Sequence, residues 1–252
     1  MLRAGMFLLL ALALLTACQP DTVQPSPPLA VQLQFAGQPL QCDSSFSLGP
    51  QRWQLSQLQF YLSDFQLNGK ALPLVADQRY QQPHLALLGT VCDGNDNWQL
   101  QFQQAPAHGT LSFKLGVPPA LNHQDPLRAV APLNQSELFW SWQQGYKYLR
   151  LDLTAIDGAS GQTGWSLHLG ANGCQSASPL RAPAGPCAAP NLAQVQLAYR
   201  QGQQLVLDLA PLLNGLTLSS DNHCMADPNR LSCQQILPRL GIAGAQQIWS
   251  SQ

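Results

Sequence analysis

Charge is scarce in this chain: only 10% of its 252 residues are Asp, Glu, Lys or Arg, against about 25% in an average globular protein. The net charge is −1, so the basic footprint of a nucleic-acid-binding protein is absent, and an acidic surface is no implied partner either. Gln and Asn do much of the solubilising work. Methionine is equally thin, and Met225 is the only one beyond the N-terminal segment. A site built from several thioethers is therefore excluded. There is no Gly-x-Ser-x-Gly, no His-Glu-x-x-His, no phosphate-binding glycine loop and no EF-hand loop. No carboxylate pair stands out as a glycosidase couple. The chain reads as non-enzymatic.

Long apolar runs are missing too. Met6–Leu15 is too short to span a bilayer, but after the positive Arg3 it fits the core of a signal peptide. It ends in Leu15-Thr16-Ala17-Cys18, which resembles a bacterial lipobox. We expect a lipoprotein signal peptide over 1–17, lipid on Cys18, a flexible Pro/Gln/Ser-rich tether over 18–29 and one β domain over 30–252. Gln19, rather than Asp, after the cysteine favours an outer-membrane anchor facing the periplasm of a bacterial envelope.

With Cys18 lipidated, six of the seven cysteines remain: Cys42, Cys92, Cys174, Cys187, Cys224 and Cys233. An even number in an exported chain implies disulfides. Cys174–Cys187 and Cys224–Cys233 close the shortest loops and leave Cys42 with Cys92, although six cysteines allow fifteen pairings. A thiolate metal site is the competing reading, disfavoured by the absence of Cys-x-x-Cys and by an oxidising compartment.

What is abundant is alternation at period two. It runs through Val31/Leu33/Phe35, Leu58/Phe60/Leu62, Trp98/Leu100/Phe102 and Leu111/Phe113/Leu115/Val117. It continues through Leu149/Leu151/Leu153, Trp165/Leu167/Leu169, Val195/Leu197/Tyr199 and Leu205/Leu207/Leu209. The phase breaks near Asp64 and Phe65, which suggests a bulge. Short alternating runs separated by Gly, Pro and Asn predict an all-β fold, an antiparallel jelly-roll-like sandwich with long loops. One or two short helices are expected. One would be capped by Asn134 or Ser136 and end at Gly145, with a strand edge as the alternative; the other would cover Cys233–Leu240.

Of the five histidines, His84, His108 and His223 read as solvated loop residues. His168 lies in Gly164-Trp165-Ser166-Leu167-His168-Leu169-Gly170, where the period turns it away from the core alongside Ser166. His123 follows a strong strand in Leu121-Asn122-His123-Gln124-Asp125-Pro126, and Asp125 is the expected hydrogen-bond partner for an imidazole. Each histidine alone is more often structural than a ligand. Trp140 and Trp142 stand in Phe139-Trp140-Ser141-Trp142-Gln143-Gln144-Gly145-Tyr146, a pattern that serves core packing or an aromatic binding face.

These stretches together resemble a known family. Phe60-Tyr61-Leu62-Ser63-Asp64, Leu115-Gly116-Val117-Pro118 with Asn122-His123, and Pro132-Leu133-Asn134 occur in order. The Phe139–Lys147 block, His168-Leu169-Gly170 with Gly173-Cys174, and Cys187 with Pro190-Asn191 follow. They are similar to the MbnP-like periplasmic copper-binding proteins, the four-cysteine member of a "metallo-mystery pair", over nearly the whole mature chain. The resemblance implies a β-rich protein holding one copper ion. Its ligands would be histidines and a tryptophan oxidised to kynurenine by a diheme partner of the MauG/cytochrome c peroxidase type. Carried over by position, the ligands are His123 and His168. The candidates for oxidation are Trp142 and Trp140, ahead of Trp165, whose side chain faces the other way. Cys174, Cys187, Cys224 and Cys233 make the four-cysteine set. The runner-up is an envelope β-sandwich that binds glycan or protein on the Trp140–Trp142 face without metal.

Overall fold

A computed structural model describes residues 26–156 and 164–252. The signal peptide and Cys18 lie outside the described residues, as does most of the tether. The end of that tether is ordered rather than flexible. Ser26 Oγ donates to the Phe102 carbonyl at 3.0 Å, and Leu29 is already buried in the first strand, Leu29–Phe35. The apolar Leu29 extends the Val31/Leu33 stripe by one step, so the strand begins there.

Seven of the eight alternating runs form strands, and most of their apolar positions face inward. Two mixed sheets pack together. The larger runs Ala193–Tyr199, Gly109–Leu115, Gln51–Leu67, Gly145–Ala155, Trp165–Gly170, Cys224–Met225; the smaller runs Trp249–Ser251, Leu205–Asp208, Leu29–Phe35, Gln38–Pro39. Trp249 reaches from the small sheet between two side chains of the large one. Its ring lies 5.7 Å from Phe60 and 5.3 Å from Phe113, edge-on to both, a favourable aromatic geometry in a dry core.

Not every pairing is antiparallel. Leu29–Phe35 runs parallel to Leu205–Asp208, and Trp165–Gly170 parallel to Cys224–Met225. Alternation reports which face a residue takes, not the direction of its neighbour, so this lay beyond the sequence pattern. The bulge is where the phase broke. Register shifts where Gly109–Leu115 meets Gln51–Leu67, Asp64 has φ +54°, and Lys114 Nζ meets Asp64 Oδ2 at 2.8 Å. The Trp98/Leu100/Phe102 run forms only the two-residue strand Gln99–Leu100 and an isolated bridge at Phe102.

The segment expected as a capped helix is one 3-10 turn, Ser136–Leu138, followed by the strand Phe139–Ser141. Neither Asn134 nor Ser136 caps it; Gln135 precedes the turn with no side-chain cap. Phe139–Ser141 folds back onto Gly145–Ala155 as a hairpin, with Phe139 opposite Tyr146. Gly145 makes the return possible: its φ is +79°, and a β-carbon there would overlap the Asn122 carbonyl oxygen. The second helix spans Leu231–Leu240. Disulfides join Cys42–Cys92, Cys174–Cys187 and Cys224–Cys233. No helix of the described residues is long and apolar enough to cross a membrane.

Candidate metal site

His123 sits on the loop that leaves Gly109–Leu115, and that loop is pinned from the core. Tyr61 Oη donates to the Pro132 carbonyl at 3.1 Å and Tyr146 Oη to the Leu133 carbonyl at 2.6 Å. Burial pushes both phenols above their ordinary pKa, so they stay protonated donors. Asn122 is buried and accepts the Tyr146 N–H at 2.9 Å while donating to the Gln144 carbonyl at 3.3 Å. The loop and the Phe139–Tyr146 hairpin are thereby fastened together one residue before His123.

The His123 ring is half-buried. Nδ1 lies 3.1 Å from the Trp142 carbonyl oxygen, which can only accept, so Nδ1 carries the proton. Nε2 then presents its lone pair, with Asn122 Nδ2 at 3.3 Å and Cys187 Sγ at 3.9 Å. Burial lowers the His123 pKa, against the opposing pull of the Trp142 carbonyl. The neutral imidazole, the form that binds metals, is favoured. His123 lines a cavity of about 320 Å3 with Pro119, Tyr148, Ala171, Cys187 and Pro190. His123, Cys174 and Cys187 bring their ligand atoms within 4.8 Å of one another. The sulfurs are paired in a disulfide, so they are not thiolate ligands in this state.

His168 points away from the core beside Ser166, as the period requires, while Trp165, Leu167 and Leu169 are buried. Its Nε2 lies 3.0 Å from Asp152 Oδ1 on the neighbouring strand, and Arg150 Nε donates to Asp152 Oδ2 at 2.6 Å. The imidazole side chain is 14% exposed and the carboxylate 19%, so solvent screens the pair only in part. Burial alone would raise the Asp152 pKa. Hydrogen bonds from His168, Ser166 and Arg150, with the attraction of His168, hold it well below the usual carboxylate range instead. With Nε2 turned to Asp152, Nδ1 is the His168 atom left for another partner.

The Phe139–Tyr146 hairpin touches both imidazoles. Its Trp142 carbonyl anchors His123, and its Trp140 ring centre lies 6.5 Å from that of His168. Trp140 also covers Gly170, where a β-carbon would overlap the indole. Trp142 packs edge-on to Phe139 at 6.1 Å. Both tryptophans are half-buried. Gln143 ties the hairpin tip to the disulfide loop, its Nε2 donating to the Cys174 carbonyl at 2.8 Å. Trp165 is buried on the core face and donates to the Asn222 carbonyl at 3.2 Å, apart from both histidines.

Asp125 is not the partner of His123. Its Oδ1 accepts the Leu127 N–H at 3.0 Å within its own turn, and its Oδ2 lies 3.8 Å from Arg128. A short acidic side chain before Pro126 is captured locally. The carboxylate that does meet a candidate ligand is Asp152. Its signal was in the sequence, since Leu149/Leu151/Leu153 turn Asp152 outward as Trp165/Leu167/Leu169 turn His168, but only register makes them neighbours. His223 is also engaged, its Nδ1 accepting the Ser166 N–H at 2.9 Å.

Among known proteins, the model of a family described as MbnP matches residues 25–226. No curated protein matches. Among solved structures, the chain is similar to MbnP from Methylosinus trichosporium, with a TM-score of 0.69 at 20% identity. The match covers 89% of this chain and 96% of that one. At that identity the likeness is one of fold.

Proposed function

This chain belongs to the MbnP family, and on that premise we propose that it binds copper in the bacterial cell envelope, as cargo for uptake or storage rather than for catalysis. The reading is carried by one observation. A single hairpin, Phe139–Tyr146, fixes the His123 ring through the Trp142 carbonyl and packs Trp140 beside His168. Imidazole nitrogen suits copper in either oxidation state. Each ring is held by a second hydrogen-bonding partner, which sets which nitrogen is free. His123 Nε2 and His168 Nδ1 are the donor atoms. Lipid on Cys18 tethers the domain to the outer membrane, facing the periplasm where copper arrives.

Trp140 and Trp142 are the tryptophans placed to become the further ligand. A diheme MauG-like partner would use two peroxides to insert two oxygen atoms across the indole C2–C3 bond, releasing two waters. Hydrolysis of the N-formyl group then gives kynurenine and formate. The product offers an aryl amine and a ketone in place of the indole N–H.

The test is metal analysis of protein coexpressed with a diheme MauG-like protein. One copper per chain is expected, lost in His123→Ala and in His168→Ala. Both variants binding as wild type would remove this site. Peptide mapping should find Trp140 or Trp142 heavier by the mass change of kynurenine formation. Six intact tryptophans after exposure to partner and peroxide would end the oxidation reading.

A further inference from the structure

The cluster of His123 with Cys174 and Cys187 is the one group of three metal-ligating side chains so closely drawn together among the described residues. We propose that the Cys174–Cys187 disulfide is a redox gate on the copper site. When a dithiol reductant opens it, the two sulfurs join His123 Nε2 as a soft N,S,S site for Cu(I). The proposal rests on reading His123 as a copper ligand.

The geometry suits a shared ion. Nitrogen and sulfur bound to one metal at about 2.05 and 2.3 Å sit about 3.6–3.8 Å apart across a tetrahedral or trigonal angle. His123 Nε2 and Cys187 Sγ are 3.9 Å apart already. His123 is anchored through its other nitrogen, so Nε2 stays in place when the sulfurs separate. Cys174 is held by its own carbonyl, which accepts from Gln143, and the flanking chain by the Asn172–Ala189 bridge. Between the cysteines, the chain forms no helix or strand and exposes Leu180 at 79%. The loop can adjust without disturbing a sheet.

The other two disulfides differ. Cys224 and Cys233 are fully buried, locking the Leu231–Leu240 helix to the sheet edge. Cys42 and Cys92 are half-buried as well and line a larger cavity, of about 650 Å3, but no histidine lines it; their sulfurs contact Thr90 Oγ1 and the Leu55 carbonyl. Cys187 is half-buried and lines one cavity together with His123. With a single methionine beyond the N-terminal segment, cysteine is this chain's source of soft ligands for Cu(I).

The chemistry balances. The reductant dithiol gives two electrons and two protons to the Cys174–Cys187 bond and becomes a disulfide itself. Cu(I) then replaces the two thiol protons and keeps its oxidation state. A disulfide oxidant takes the two electrons back from the Cu(I)-bound sulfurs, picks up two protons from solvent to become a dithiol, restores the Cys174–Cys187 bond and leaves Cu(I) on nitrogen ligands alone. Capture and release thus follow the local thiol poise.

The experiment uses the full protein, oxidised or reduced with dithiothreitol and desalted without oxygen. Cu(I) affinity is read by competition with a chromogenic chelator, and thiol labelling maps which cysteines are free. Reduction should tighten Cu(I) binding at least 100-fold. The gain should vanish in Cys174→Ser/Cys187→Ser reduced in parallel, which subtracts the other two disulfides. Reduced His123→Ala should bind Cu(I) about tenfold more weakly than reduced wild type. Labelled Cys174 and Cys187 with no gain would overturn the gate, as would an equal gain in the double variant. Should reduction unfold the chain, Cys174→Ser frees Cys187 beside His123 without reductant. It should bind Cu(I) at least tenfold more tightly than oxidised wild type, and wild-type affinity there would overturn the proposal. Oxidised protein that binds copper without a gain ends the gate alone. Oxidised protein that binds none ends the nitrogen site and leaves the gain on reduction to be read separately.

Discussion

His123 and His168 are both partly buried imidazoles beside the same hairpin, yet the fold anchors them in opposite ways. His123 rides on a loop, hydrogen-bonded to the Trp142 backbone carbonyl, and faces a cavity walled by prolines and Tyr148. His168 rides on a strand and is hydrogen-bonded to the Asp152 carboxylate, itself gripped by Arg150. A neutral carbonyl fixes the tautomer without adding charge. A carboxylate fixes it and also places a negative charge beside the ring. The two rings therefore differ in their anchors, one neutral and one charged. The first can be reshaped by its loop, while the second is set by sheet register.

That contrast can be broken from the His123 side with the largest effect. Gly145→Ala forces a side chain into φ +79° and against the Asn122 carbonyl. A loss of about 3 kcal/mol or more in urea unfolding is expected from strain and overlap together. Because the overlap falls beside His123, its ring resonance should shift further than that of His168 in NMR spectra.

Breaking the His168 side should cost less but show a pH signature. Asp152→Asn removes the charge-assisted hydrogen bonds to His168 and Arg150, and a loss of about 1–3 kcal/mol at neutral pH is expected. The folded carboxyl titrates below its unfolded value of about 3.9. Its contribution is thus complete above that value and lost as pH falls towards the folded one. The stability gap between wild type and Asp152→Asn should therefore close below about pH 4 in acid titrations followed by circular dichroism. A gap that persists unchanged there would contradict the ionised pair.

The smallest effect should come from His123→Ala. It removes one neutral hydrogen bond from a half-buried carbonyl that water can reach, worth about 0.5–1.5 kcal/mol in thermal unfolding. Copper binding should nevertheless be lost. A large stability loss with copper retained would make His123 a structural residue.

His168 shows how much of the site was readable. Alternation in Trp165–Gly170 turned it outward correctly, since a strand buried on one face leaves no other choice. Its partner Asp152 followed the same logic on another strand, but nothing in either run said that the two strands were adjacent. His123 was flagged by its loop, and its expected partner was wrong. Asp125 closed its own turn, and the real anchor was a backbone carbonyl 19 positions on, a group that every residue carries and no motif marks. The Phe139–Trp142 block left a helix and a strand edge both open, and the strand is what forms. Its aromatic residues fit a helix face or a strand, and only pairing with Gly145–Ala155 decided for the strand.

By itself, the sequence determined an all-β, cysteine-braced chain whose apolar residues alternate, because a period of two follows from the pleat of each strand without reference to the rest of the molecule. The tertiary structure alone decided the two parallel pairings, the Asp152–His168 contact and the seat of the Cys174–Cys187 disulfide beside His123. Those are contacts between distant segments, fixed by which faces and edges bury best together, and no local pattern encodes that competition.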